Sequence, residues 1–90
     1  MKKKKDLEVW ANAEQSRYIK TKPLHSSQCI LSENPTDGSC IFCIDVVINF
    51  EMYSVFMSYG AGVKILSPRK CLNHMSQALK AAASLYDQRV

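Results

Sequence analysis

The stretch Ser39-Cys40-Ile41-Phe42-Cys43-Ile44-Asp45-Val46-Val47-Ile48-Asn49-Phe50-Glu51-Met52-Tyr53-Ser54-Val55-Phe56-Met57-Ser58-Tyr59-Gly60 changes period once, at Phe50, and that change decides the fold. From Ser39 to Asn49, Cys40, Phe42, Ile44, Val46 and Ile48 share one face, while Ile41, Cys43, Asp45, Val47 and Asn49 share the other. Successive strand side chains point to opposite faces, so this reads as a central strand with one wholly apolar face on the core and one mixed face. From Phe50 the period is helical. Glu51, Ser54 and Ser58 fall at i, i+3 and i+7 as one polar stripe, and the remaining residues to Tyr59 are apolar. Gly60 suits the position that closes a helix.

Working back from Ser39, Asn34-Pro35-Thr36-Asp37-Gly38 is the clearest turn: proline sets one dihedral and Asp-Gly supplies a positive-φ position. Leu24 to Glu33 reads as a strand, most β-like at Cys29-Ile30-Leu31. Pro23 forces extended geometry on Lys22, so a helix capped by Asn12 ends near Lys20, with Tyr18 and Ile19 on its buried side. Leu7 to Ala11 alternates as a short strand. Working forward, Gly60-Ala61-Gly62 turns the chain into a fourth strand, Val63 to Leu66. Ser67 as N-cap and Pro68 at the first helical position start a last helix, expected from Pro68 to Tyr86. Leu72, Met75, Leu79, Ala82 and Tyr86 trace one narrow apolar seam along it.

The order is β-α-β-β-α-β-α, and its first six elements match the split βαβ, or ferredoxin-like, pattern: an antiparallel α+β fold with two helices on one face of a four-stranded sheet. The last helix is an addition. Residues 1–6 are expected to be a basic tail and residues 7–90 a single domain.

Composition narrows the function. The net charge of +4 rests on the run Lys2 to Lys5, and the rest of the chain is near neutral. Such an arm is a solvated tail or a site for nucleic acid or acidic lipid. The lysines are followed by Asp6 and Glu8 rather than an apolar run, so no signal peptide is expected. No stretch approaches the ~20 apolar residues of a membrane span, so no membrane partner is expected. The four cysteines then read as reduced thiols of a cytoplasmic protein. Outside the tail no interleaving of basic and aromatic residues marks a nucleic-acid face.

Cys40-Ile41-Phe42-Cys43 with Cys71-Leu72-Asn73-His74 imitates a zinc pattern, C-x2-C with C-x2-H. Residues three apart in a strand face opposite sides, so Cys40 and Cys43 are expected to be buried thiols, and no metal or other cofactor is expected. His25-Ser26-Ser27 offers a histidine beside two serines, but strand neighbours point apart and no nucleophile-elbow glycines surround them. The acidic residues are scattered, and no catalytic residue is assigned; the chain is expected not to be an enzyme.

The informative feature is surplus apolar surface. Trp10, Ile41, Cys43 and Val47 fall opposite the expected core, Leu66 with them, and the seam Leu72, Met75, Leu79, Tyr86 needs something to pack on. Either the last helix folds back over the open sheet face, or a second chain or domain covers these residues. On this reading the interface candidates are Trp10, Ile41, Val47, Leu72, Met75, Leu79 and Tyr86, and a glutamate at Leu79 is expected to weaken both association and stability.

Two stretches carry a family resemblance. Pro23-Leu24-His25-Ser26-Ser27-Gln28 is similar to a Pro-x-His-x-Ser-Gln signature. Glu51 to Pro68 is similar to Glu-Leu…Leu-Ser-Phe-Gly…Val-x-Val-Leu-x-Pro, through Glu51, Gly60, Val63 and Pro68. Asp37-Gly38 and the apolar strand lie between them in matching order. Over residues 7–86 the chain resembles the C-terminal extension that follows the WYL domain in bacterial transcription regulators. There a DNA-binding winged helix and a ligand-sensing WYL domain precede the extension, which is implicated in dimer contacts and in coupling sensor to DNA binding. Both upstream domains lie outside this chain, which is either an excised domain or a short gene product. The resemblance implies a non-catalytic regulatory module that forms a homodimer or docks on a WYL domain, with no direct nucleic-acid contact. The alternative is a small-ligand-binding domain, by analogy with other ferredoxin-like domains.

Overall fold

Side chains of Leu7, Val9 and Ala11 and of Cys40, Phe42 and Ile44 meet across two neighbouring strands and form the floor of the core. The structure is a computed structural model that describes residues 4–87. Its elements are β1 (Lys4–Ala11), α1 (Ala13–Thr21), β2 (Cys29–Glu33), β3 (Cys40–Val47), α2 (Phe50–Ser58), a 3-10 turn (Gly60–Gly62), β4 (Val63–Ser67) and α3 (Arg69–Asp87). They follow the order expected from the sequence. The four strands form one antiparallel sheet in the order β2-β3-β1-β4.

All three helices pack on one side of this sheet. Ile19 of α1 joins Ala11, Cys40 and Phe42. Met52, Tyr53 and Phe56 of α2 and Cys71 and Met75 of α3 join Leu7, Val9, Ile44 and Ile65. The last helix therefore does not fold back over the open sheet face; it extends the helical layer. Its contact with β4 sets this outcome, because β4 leads into α3 through Pro68 alone.

Several boundaries move from their expected places, each for a reason of hydrogen bonding. β1 begins at Lys4 rather than Leu7, because the backbone from Lys4 to Asp6 finds partners in Val47 to Asp45. Part of the lysine run thus belongs to the sheet; Met1 to Lys3 lie outside the described residues. β2 begins at Cys29 rather than Leu24, since Leu24 to Gln28 forms a loop held by its own side chains. β3 ends at Val47. Asn49, expected on the strand, instead caps α2, its Oδ1 accepting the Met52 amide at 2.8 Å. Asn12 caps α1 as expected, accepting from Gln15 at 2.9 Å. Ser67 does not cap α3: it is the last residue of β4, and its hydroxyl donates to the Glu8 carboxylate at 2.9 Å. The Pro68 carbonyl accepts the first helical amides, from Cys71 and Leu72. Replacing Asn49 by alanine is expected to cost about 1 kcal/mol, as for other caps, read as a lower urea midpoint at unchanged slope.

The turn at Asn34 to Gly38 is built as its composition requires. Gly38 takes φ +79°, and a Cβ there would sit 3.0 Å from the Ala13 Cβ. The Gly38 carbonyl accepts from the buried Ser16 hydroxyl at 3.1 Å, which fastens the hairpin to α1. Gly60, at φ +58°, follows α2 in the left-handed region.

Candidate functional site

The loop Pro23 to Gln28 is a hydrogen-bonded clip. Gln28 Oε1 accepts the Leu24 amide at 2.9 Å, and its Nε2 donates to the Ile19 carbonyl at 3.3 Å, tying the loop to the end of α1. His25 Nδ1 accepts the Ser27 amide at 3.1 Å, so in the neutral ring the proton resides on Nε2. The Ser27 hydroxyl accepts the Asp45 amide at 2.8 Å and lies 3.3 Å from the Asp45 carbonyl. Pairing with β2 ends at Cys43, and Ser27 takes over the β3 edge where that strand stops.

On the sequence reading residues 24–33 are a strand, in which immediate neighbours such as His25 and Ser26 point apart. The structure makes 24–28 a loop that brings His25 to Ser27, with Nδ1 and Oγ 2.8 Å apart. The hydroxyl is nonetheless committed to the β3 backbone, so this pair holds the fold together and leaves no free nucleophile.

This clip faces α2 across a groove of about 380 Å3. Leu24, Ile44, Val46, Val55 and Phe56 supply apolar walls, and His25, Asn49 and Glu51 supply the polar groups. The two motif stretches, far apart in sequence, therefore converge: His25 from the first and Glu51 from the second line one depression. Sequence reasoning missed the groove, because it forms only when β3 brings Asp45 to Ser27. The remaining motif positions are architectural. Gly60 takes the left-handed turn, Val63 packs on both halves of the core, and Pro68 starts α3.

The zinc-like residues do not converge. Cys40 is buried among Ala11, Ile19 and Phe42, and Cys71 is buried with Met75 at the other end of the core. Cys43 lies on the opposite sheet face, and His74 stacks on Tyr53 with ring centroids 3.9 Å apart. Among the described residues no group of three metal-ligating side chains is assembled.

That stack joins α2 to α3, and burial, followed by the neighbouring Cys71 thiol, pushes the Tyr53 hydroxyl up to about 12. The fold favours the neutral phenol. Its contribution is complete below the unfolded value near 10 and is lost as pH rises through about 12. Stability is expected to fall by on the order of 2 kcal/mol across that window, and Tyr53→Phe to flatten this part of the profile in urea titrations at stepped pH.

The seven interface candidates divide between two surfaces. Trp10, Ile41 and Val47 lie on the open sheet face, joined by Cys43 and Leu66, all partly exposed. Leu72, Leu79 and Tyr86 lie on α3, on the far side of the molecule. Met75 belongs to neither surface; at 8 % exposure it is part of the core. The expected seam on α3 is corrected accordingly. The helix buries Cys71 and Met75, whereas Leu79 is 43 % and Tyr86 90 % exposed, and every residue from Leu79 to Asp87 faces solvent.

The WCX domain family model matches residues 3–83, nearly the whole chain and including both motif stretches. The chain belongs to the WCX domain family. A search of curated proteins finds no match to it. The WCX domain is a regulatory-type domain associated with WYL regulators rather than an enzyme family. Among the described residues of this WCX domain, no helix is long and apolar enough to cross a membrane.

Proposed function

We propose that this WCX domain is a non-catalytic regulatory and dimerisation module of a cytoplasmic WYL-type transcription regulator, and that its partner surface is the open sheet face. The observation that carries the reading is the row Trp10, Ile41, Cys43, Val47 and Leu66, partly exposed on a face opposite every helix of the domain. An antiparallel sheet with one free face ordinarily shows polar residues there. Here about half of the positions are apolar, which favours a partner over water. The strand order β2-β3-β1-β4 with helices between β1 and β2 and between β3 and β4 supports a ferredoxin-like reading of the fold, with α3 as its addition. The free sheet face then serves a second copy or the WYL domain that precedes WCX domains. Size-exclusion chromatography with light scattering, over a range of concentrations, tests this directly. A dimer that forms with rising concentration supports self-association; a monomer at millimolar concentration removes it and leaves docking on a WYL domain.

A second reading, a small-ligand site, rests on the groove between the His25 clip and α2. It is open and mostly apolar, with Glu51 and His25 at its rim, and so fits an apolar molecule bearing one polar end.

A further inference from the structure

Cys29 and Cys43 are direct partners across the antiparallel β2–β3 pair. Their side chains therefore rise from the same face of the sheet, the open one, because Phe42, next to Cys43 on β3, is turned into the core and strand neighbours alternate. Directly opposed residues in an antiparallel pair have Cα atoms about 4.5 or 5.5 Å apart, and both spacings fall inside the roughly 4.4–6.8 Å that a disulfide spans. Their Cβ atoms stand about 4.5–5.5 Å apart, somewhat wider than a relaxed disulfide prefers, so closing the bond draws the strands slightly together. The other two thiols are excluded by the fold: Cys40 and Cys71 are buried on the core side and lie in different clusters.

We propose that Cys29 and Cys43 form a reversible cross-strand disulfide site for hydroperoxide oxidation, fastening the edge strand β2 to β3. Cys29 is exposed and meets the oxidant first. Its thiolate attacks the peroxide and becomes a sulfenic acid, and the peroxide's other oxygen leaves as water. The Cys43 thiol loses its proton and its sulfur attacks the Cys29 sulfur; the sulfenic oxygen leaves as a second water. Two thiols and one hydrogen peroxide thus give one disulfide and two waters, with two electrons passing from sulfur to peroxide oxygen. Burial, and then the adjoining Cys29 thiol, push the Cys43 thiol up from its ordinary value, so the second step quickens as pH rises and more of Cys43 is thiolate. β2 is the element with most to gain. All five of its residues are exposed, and it is bonded to the sheet through β3 alone. A bond that draws strands together is strained, and strained disulfides are the readily reduced ones, which suits a reversible modification rather than a permanent staple.

The proposal does not depend on the partner reading, because strand register alone brings the two sulfurs together. The test uses the full chain at low micromolar concentration, where a weak dimer is dissociated, treated with hydrogen peroxide at pH 8 and mapped by mass spectrometry after alkylation. The expected product is an unlinked monomer about 2 Da lighter, with Cys29 joined to Cys43, with Cys40 and Cys71 still alkylated after unfolding, and restored by dithiothreitol. Cys29→Ser should remove this species entirely. Chains joined to one another, a bond to Cys40 or Cys71, or Cys29 passing directly to sulfinic acid without the lighter product would each overturn it.

Discussion

Phe42→Ala is expected to cost about 3–5 kcal/mol, more than any other single truncation in this chain. Phe42 is the largest of the fully buried side chains, and it sits on the central strand β3 between Val9 of β1 and Ile30 of β2. Ile19 of α1 packs over it together with Ala11 and Cys40. These neighbours belong to regular elements whose backbones are held by the sheet ladder, so they cannot collapse into the space vacated. The cost therefore includes the cavity as well as the lost transfer energy. A domain of this size has on the order of 5–13 kcal/mol in total, so the variant loses a large part of its margin. Urea unfolding followed by circular dichroism should show a much lower midpoint at the same slope. A fall below about 1 kcal/mol would mean that the core around Phe42 is looser than its burial implies.

Trp10→Glu is expected to abolish self-association while leaving a folded monomer. Trp10 pairs with Ile41 on one side and Lys64 on the other, on the open face near the end of β1. Trp10 is already partly buried in its own domain, so a partner covers only the rest, worth roughly 1–2 kcal/mol per copy at about 25 cal/mol per Å2. In a two-fold dimer the substitution occurs twice, so the association constant should fall on the order of 100-fold. Leu79→Glu is the discriminating control. The sequence suggested that a charge there would weaken both association and stability. The structure puts Leu79 on the exposed outer side of α3, away from the sheet face. Its effect on stability should therefore stay within about 0.5 kcal/mol, and dimerisation through the sheet face should be untouched. Loss of association in Leu79→Glu with retention in Trp10→Glu would transfer the partner surface to α3. Light scattering and urea titration of the two variants side by side distinguish these outcomes.

The exposed end of α3 bears on the same question. A helix of 19 residues whose second half, from Leu79 to Asp87, is exposed is marginal by propensity alone. Its run Ala81-Ala82-Ala83 favours helix locally, and Leu85 and Tyr86 project into solvent. Phe50, at the start of α2, is similarly 83 % exposed although the sequence placed it on an apolar helix face. Both cases arise because periodicity identifies which residues share a face without saying whether that face meets the domain's own core.

By itself the sequence determined what depends on neighbours along the chain. The period change at Phe50, the Asp37-Gly38 turn, the Asn12 cap and the left-handed Gly60 are all settled within a few residues, because strand alternation, helical spacing and φ preference are local properties. The order of the seven elements and the two faces of β3 followed from them. Tertiary structure alone decided the rest, because hydrogen-bond accounting across strands is not local. Ser67 has the composition of an N-cap but donates to Glu8 on the neighbouring strand, and Asn49 leaves the alternation of β3 to cap α2. Ser27 finds Asp45, His25 and Glu51 come to line one groove, and Cys29 meets Cys43, only through the β2–β3 register. The side of the sheet taken by α3 was undetermined for the same reason: Cys71 and Met75 could each have been packed or exposed until β4 took its place beside β1 and left the helical layer as the only apolar surface within their reach.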